Sequence, residues 1–324
     1  MIQGVSVCVI TYNHANYIEE CLNSIIAQKA DFPIEVVVRD DNSTDCTKQK
    51  ILEIAAYNTN ENINFKIIDG SVNLGANKNI LKVIDNCTYE YVAFCEGDDY
   101  WTDELKLSKQ YKYAKDNLHC DFFVHPAYYK YSSGEIKEVK WPIQFSSSLD
   151  AGKILNASWQ FAPTSSYFIK KKALLSLPKW FAVASIGDIF IEIYSSRNGI
   201  LMQNEYMSAY RYLASGSWSL SLKGNTENII NKSIRHYENF NDKLIKVKID
   251  FPELSNEIDI KIANNNFQLS ILYFKIRKID KYKYYTKRCV EYRKSLNVKK
   301  RIFLKLKYFP ILLRLLMKLN RASS

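Results

Sequence analysis

Glu96, Asp98 and Asp99 follow directly on an apolar run, Tyr91–Cys95 (YVAFC), with Gly97 between them and Tyr100 and Trp101 after them. Asp40 and Asp41 follow a second such run, Ile34–Val38 (IEVVV), after Arg39. A third, Val5–Thr11 (VSVCVIT), leads into Tyr12, Asn13 and His14. Crowded carboxylates repel one another, so a cluster without compensation is costly. A hard divalent cation relieves the cost through oxygen ligands. Magnesium takes one or two carboxylates and fills its shell with water and substrate phosphates. Held in that way, it neutralises a diphosphate leaving group. Asp45 reads equally well as a helix cap on an exposed loop.

Other chemistries find little support. His14, His119, His125 and His236 are scattered without metal-ligand spacing, and His14 alone follows a candidate ligand loop. The seven cysteines include no CxxC pair, which argues against a zinc knuckle and a disulfide framework. Cys8 and Cys95 sit in apolar runs and read as buried, inert thiols. No GxGxxG and no P-loop is present, so dinucleotide oxidoreductases and kinases lack their phosphate cradles.

The apolar runs predict strands at Val5–Thr11, Ile34–Val38, Phe65–Ile68 and Tyr91–Cys95. Helices alternate with them. Ile18, Cys21, Leu22, Ile25 and Ile26 share one helical face; Ile51, Leu52 and Ala55 mark a second helix, capped by Thr44; Ile80, Leu81 and Ile84 mark a third. This order predicts an α/β fold with a mainly parallel sheet. Ligands of such sheets bind outside the carboxyl ends of the strands. The loops after the first, second and fourth strands therefore bring the acidic residues and Tyr12 into one cleft.

The middle is mixed, with short strands at Phe122–Val124 and Tyr167–Ile169 and a helix over Asp188–Ser196. From about Gly224 the pattern is helical, so the expected division is a catalytic domain over 1–220 and a helical region over 221–324. The net charge of +11 gathers toward the C-terminus. Lys299–Arg321 interleaves Lys and Arg with Ile, Leu and Phe, and Pro310 splits it. Each piece is too short and charged to span a bilayer but suits an anionic membrane surface better than nucleic acid. Packing against the protein, or against a second copy in a homo-oligomer, is the competing reading. The opening residues enter a strand without the pattern of a secretory leader. The expected location is the cytoplasm, peripheral on the inner face of the cell membrane.

VSVCVITYNH, VVRDDNSTDCT, NLGANKN and YVAFCEGDDYW, in that order, resemble family 2 glycosyltransferases of the GT-A fold, of the bacterial cell-surface polysaccharide type. The resemblance is dense over residues 4–105 and sparse to about 218. It implies a Rossmann-like nucleotide-binding sheet with Thr11, Tyr12 and Asn13 at the nucleobase pocket and Asp40 accepting from uracil N3–H. It places Asn73, Gly75 and Lys78 beside ribose and diphosphate. Lys78 stands where the family usually has Arg, which keeps the charge and loses the bidentate contact. Glu96, Gly97 and Asp98 occupy the DxD position, with Asp98 as ligand of Mn2+ or Mg2+ and Glu96 replacing the usual first Asp. Asp99, Trp101 and Trp218 fall on the acceptor side, with Trp101 read first as structural. Asp188, which from the residues alone reads as the cap of an apolar helix, matches the family's catalytic base. Tyr210-Arg211 resembles the family's YR pair, but Tyr212, Leu213 and Ala214 follow in place of its usual His.

The activity implied is inverting transfer of a sugar from a UDP-sugar, or a dTDP-sugar with the same base edge, to an acceptor hydroxyl. The acceptor implied is a glycan or a lipid-linked oligosaccharide in cell-surface polysaccharide synthesis. The altered Glu96 and the missing His keep a second reading open, a non-catalytic subunit of the same fold that binds nucleotide-sugar or glycan.

Overall fold

The structure is a computed structural model in which residues 3–145, 149–212, 214 and 218–290 are described. The chain divides into two compact units, Met1–Ser221 and Leu222–Ser324. The first holds eleven strands among the described residues: β1 (Val5–Thr11), β2 (Ile34–Asp40), β3 (Ile63–Ile68), β4 (Tyr91–Phe94), β5 (Tyr100–Trp101), β6 (Phe122–Val124), β7 (Ala127–Lys130), β8 (Ile136–Glu138), β9 (Phe168–Lys170), β10 (Ile200–Met202) and β11 (Ser208–Arg211).

Seven strands form one sheet in the order β10-β6-β9-β4-β1-β2-β3. β1 pairs in parallel with β2 and β4, and β2 with β3, while β9 runs antiparallel between β4 and β6. Every residue of β1 and β2 is buried, which is why both read as mainly apolar runs, and the polar Ser6 and Glu35 within them pair with each other at 2.7 Å. Helix Ile18–Ile26 buries Ile18, Cys21, Leu22 and Ile25 against this sheet's core, alongside Val5, Val7 and Val9. Truncating one such side chain, as in Leu22→Ala, costs about 2–5 kcal/mol. The chain steps outward from β1 through β2 to β3 and returns to β4 on the other side of β1. That reversal opens a crevice at the carboxyl ends of β1 and β4.

The second sheet, β5-β11-β7-β8, has strands of two to four residues. β11 runs parallel to β7 and antiparallel to β5. Its register sets Tyr210 opposite Tyr129 and Arg211 opposite Lys130.

Three details correct the sequence reading. Thr44 caps no helix: the second helix spans Thr47–Ala56, and Asp45 accepts from the Thr47 amide at 3.0 Å. Leu52 on that helix is exposed, because a single helix against one sheet face buries only a narrow stripe. The strand expected at Tyr167–Ile169 lies one residue later, since Tyr167 closes a 3-10 turn over Thr164–Ser166.

The second unit is helical, with Glu227–Asp250, Ser255–Lys275 and Ile279–Val290. Ile230, Ile234, Leu269, Tyr273, Phe274 and Tyr282 make its core. Thr226 caps the first helix through the Ile229 amide. Glu238 accepts from the phenols of both Tyr273 and Tyr285 at 2.7 Å. Among the described residues no helix is long and apolar enough to cross a membrane. Lys299–Arg321 lies outside the described residues.

Candidate functional site

The loops after β1, β2 and β4 meet at one edge of the large sheet. Thr11, the last residue of β1, is in register with Asp40, the last of β2. Asn13 and Asn42 take positive φ, 56° and 63°, in the two loops. Asparagine tolerates that region better than most side chains. Their loops are stitched together: the Asn13 amide donates to Ser43 Oγ at 2.7 Å, and Asn13 Oδ1 accepts from the Thr44 amide at 2.8 Å. Asp40 accepts from the Ser43 amide at 2.9 Å and from the Ser43 hydroxyl, which fixes its carboxylate. Tyr12 beside it keeps 43% of its surface exposed, an open ring at the mouth of the crevice.

Gly70 packs on Asp40 so closely that a Cβ there would sit 1.7 Å from the Asp40 carbonyl oxygen. Only glycine fits, and this contact sets where β2 ends. Next to it lies a buried ion pair that the sequence reading did not single out. Arg39 donates to Asp41 Oδ1 at 2.5 Å, to Asn79 Oδ1 at 2.9 Å and to the Val72 carbonyl at 2.9 Å. Asp41 in turn accepts from the amides of Leu74 and Gly75, both at 2.8 Å. The pair thereby holds the Asn73–Lys78 segment against β2. Gly75 ends that turn at φ 82° and precedes helix Ala76–Asn86, with Lys78 exposed on its first turn.

The loop after β4 folds back onto β1. The Gly97 amide donates to the Ile10 carbonyl at 2.9 Å, and a Cβ on Gly97 would lie 2.7 Å from Thr11 Oγ1 and 2.9 Å from His14 Nδ1. This close approach brings His14 Nε2 to 3.9 Å from Asp98 Oδ2. Glu96 accepts from Thr164 Oγ1 at 3.2 Å. Asp99 is buried and accepts from the Arg211 amide at 2.9 Å, and its second carboxylate oxygen has no partner among the described residues. Arg211 reaches Glu20 and lies over the rings of Tyr17 and Tyr100 at 4.9 and 5.0 Å.

Asp188 opens helix Asp188–Ser195 and is half-buried; Gly187, and not Asp188, is the N-cap residue, without a side-chain bond. Glu192 of that helix accepts from the Ala162 amide at 3.0 Å and the Tyr167 phenol at 2.8 Å. One short segment, 162–167, thus ties the helix of Asp188 to Glu96. Burial raises Asp188 to about 6. Glu96 is raised by burial and then by repulsion from Asp188, Asp98 and Asp99. Asp99 is raised by burial and by Asp98. The carboxylates of two distant segments therefore share one field.

Their excess negative charge fits a divalent cation. Among the described residues no three His, Cys, Asp or Glu side chains are arranged to hold a metal by themselves. The fit is thus to an ion that takes one or two carboxylates and completes its shell from a phosphorylated ligand. Asp98, partly exposed beside His14, is the carboxylate open to such an ion.

Of the residues named for the acceptor side, Trp101 takes the structural place read for it first. Trp101 is buried in the core, its indole donating to the Ser165 carbonyl at 3.2 Å under the Lys106 ammonium at 4.1 Å. Asp99 is likewise buried and accepts from the Arg211 amide. Trp218 begins the short helix Trp218–Ser221, and its side chain lies outside the described residues.

Comparison with known proteins gives a family and a fold. The model for glycosyl transferase family 2 matches residues 6–174. An uncharacterized protein of Mycobacterium tuberculosis is 34% identical over 66% of this chain, which spans 60% of that relative's length. S. aureus TarS 1-349, solved in complex with UDP-GlcNAc, is 19% identical with a TM-score of 0.53, over 91% of this chain and 93% of that one. Mannosyltransferase PcManGT from Pyrobaculum calidifontis, solved with GDP-Man and Mn2+, is 17% identical with a TM-score of 0.57, over 96% of this chain and 86% of that one. At such identities the two structures speak for the fold.

Proposed function

The chain belongs to glycosyl transferase family 2 and has a GT-A-like fold, and on that premise we propose that it transfers a sugar from a UDP-sugar to an acceptor hydroxyl with inversion. The observation that carries the reading is that Glu96, beside Asp98 in the loop after β4, accepts from Thr164, in the same short segment whose Ala162 amide holds Glu192 on the helix that Asp188 opens, ninety residues after Asp98. Asp40, held by Ser43, receives the uracil N3–H, and Tyr12 offers its open face to the base. A dTDP-sugar presents the same edge. TarS was solved with UDP-GlcNAc, which supports a uridine donor.

Asn73, Gly75 and Lys78 face the ribose and diphosphate in this reading, on a turn that the Arg39–Asp41 pair keeps in place. Mn2+ or Mg2+ held at Asp98 would neutralise the leaving diphosphate, and Mn2+ in the PcManGT complex supports that ion. Glu96 and His14 flank Asp98 and orient it. Asp188 accepts the acceptor's proton. A carboxylate raised to about 6 is still ionised at neutral pH and is a stronger base than a free one. Glu96 in place of the family's usual Asp, with no His after Tyr210-Arg211, favours one rival, a non-catalytic nucleotide-sugar or glycan binder, which would bind without releasing UDP.

Thermal unfolding with a panel of UDP-sugars and Mn2+ tests the proposal. At least one UDP-sugar raises the midpoint only with the cation, and Asp98→Asn loses the effect while keeping its own fold. Equal stabilisation of the variant would remove Asp98 as the cation's ligand. For Lys299–Arg321 we retain the membrane-surface proposal on sequence grounds: flotation with anionic vesicles should fall in a chain ending at Val298.

A further inference from the structure

One face of the small sheet is aromatic. Side chains two apart on a strand share a face, so Tyr129 and Tyr131 line up with Tyr210 and Tyr212, the first pair registered Tyr129 to Tyr210. Tyr212 stacks on Tyr129, centroids 5.0 Å apart and planes 15° from parallel. Trp141 and Trp159 continue the surface, 4.9 Å from each other, with Trp141 5.6 Å from Tyr129. The alternate residue, Arg211, serves the other face, over Tyr17 and Tyr100.

This face is not simply core. Trp141 is fully buried, and its indole is anchored on the Ala127 carbonyl at 2.8 Å, which makes a rigid floor. Trp159 and Tyr212 at its edges keep 39% and 37% of their surface exposed. Tyr210 joins the floor to the acidic loop through its own strand: the amide of the next residue, Arg211, donates to Asp99 at 2.9 Å, and Ala209 pairs with Tyr100. The cluster repels an anionic ligand. Lys137, over the Tyr131 ring at 5.6 Å, is paired with Glu135 at 3.0 Å and leaves little to attract one.

We infer that the aromatic face built on Tyr129, Tyr210 and Trp141, with Trp159 and Tyr212 at its rim, is the acceptor subsite and takes a neutral pyranose ring. A pyranose has an apolar face of C–H bonds and a rim of hydroxyls. Flat rings bind the first and phenol groups the second, a combination suited neither to an open-chain polyol phosphate nor to a prenyl chain. The inference rests on the transferase reading for the word acceptor, while ring binding itself does not.

Saturation-transfer NMR on the full chain tests it, with methyl glucopyranoside, methyl mannopyranoside and methyl N-acetylglucosaminide as probes and ribitol as the open-chain control. At least one pyranoside should receive saturation from aromatic protons on its ring C–H groups. Trp159→Ala and Tyr212→Ala should each weaken it about tenfold, and the Phe variants should retain it. Circular dichroism of each variant and its UDP affinity with Mn2+ should match the parent. No signal from any pyranoside, undiminished binding in both Ala variants, or equal binding of ribitol would overturn the subsite. Ring binding that depends on Trp159 and Tyr212 in a chain that fails to bind UDP would sustain the subsite and overturn the donor reading instead.

Discussion

Asn77 clamps Gly187: its Oδ1 lies 2.5 Å from where a Cβ on that glycine would stand, and its amide donates to the carbonyls of Phe181 and Ala184 at 3.0 and 2.8 Å. The helix that follows the donor-side turn thus holds the turn that delivers Asp188. Donor loop and proposed base are fastened by one buried side chain.

Asn77→Ala leaves two carbonyls without this donor, at a cost of about 1–3 kcal/mol. The expected outcome is a lower urea midpoint and turnover reduced about tenfold, with UDP affinity kept, because the base moves and the nucleotide pocket does not. Assays of UDP binding and UDP release on the same preparation check this. Unchanged turnover would show that Asn77 does not position Asp188.

The Arg39–Asp41 pair makes a different prediction. Asp41→Ala strands a buried guanidinium, frees the Leu74 amide and leaves the Gly75 amide to Asn73 alone. Removing one member of a buried pair costs about 3–5 kcal/mol. The variant should unfold at lower urea and also bind UDP more weakly, whereas a core truncation such as Leu22→Ala should lower stability alone. Equal UDP affinities for the two variants at a temperature where both are folded would contradict a role for the pair in holding the donor turn.

Much of this was legible because burial writes a simple pattern. β1, β2 and β4 are covered on both faces, so their sequences are mainly apolar, and the acidic residues at their ends are displayed by contrast. The small sheet was not legible. Its strands have two to four residues, too few for alternation to show, and β5 and β11 are held by pairing across the chain. Arg39 and Asp41 look like any polar loop until their partners, Asn79, Val72 and Gly75, are known. Trp101 reads as structural from its place after the acidic loop, but its partners, Ser165 and Lys106, are ones no local pattern foretells.

The raised Asp188 predicts a pH profile. A base must be ionised to act, so kcat/KM should fall as pH drops through about 6. Stability should move the opposite way. A carboxyl whose folded value lies above its ordinary 3.8 holds more protons folded than unfolded between the two. Its contribution is therefore full below about 4 and is lost as pH rises to about 6. Asp188→Asn should flatten this part of the stability curve. A rate profile level from pH 5 to 7 would argue that another group takes the proton.

In the proposed reaction Asp188 takes the proton while the donor is bound elsewhere in the crevice. The direct measurement is UDP release from the stabilising UDP-sugar, with acceptor and Mn2+, by the parent and by Asp188→Asn, alongside the donor affinity of each. The variant should bind donor within about twofold of the parent and turn over about 10²-fold more slowly or worse. Near-parental turnover in the variant, or a parent that binds the donor and never releases UDP, would contradict it.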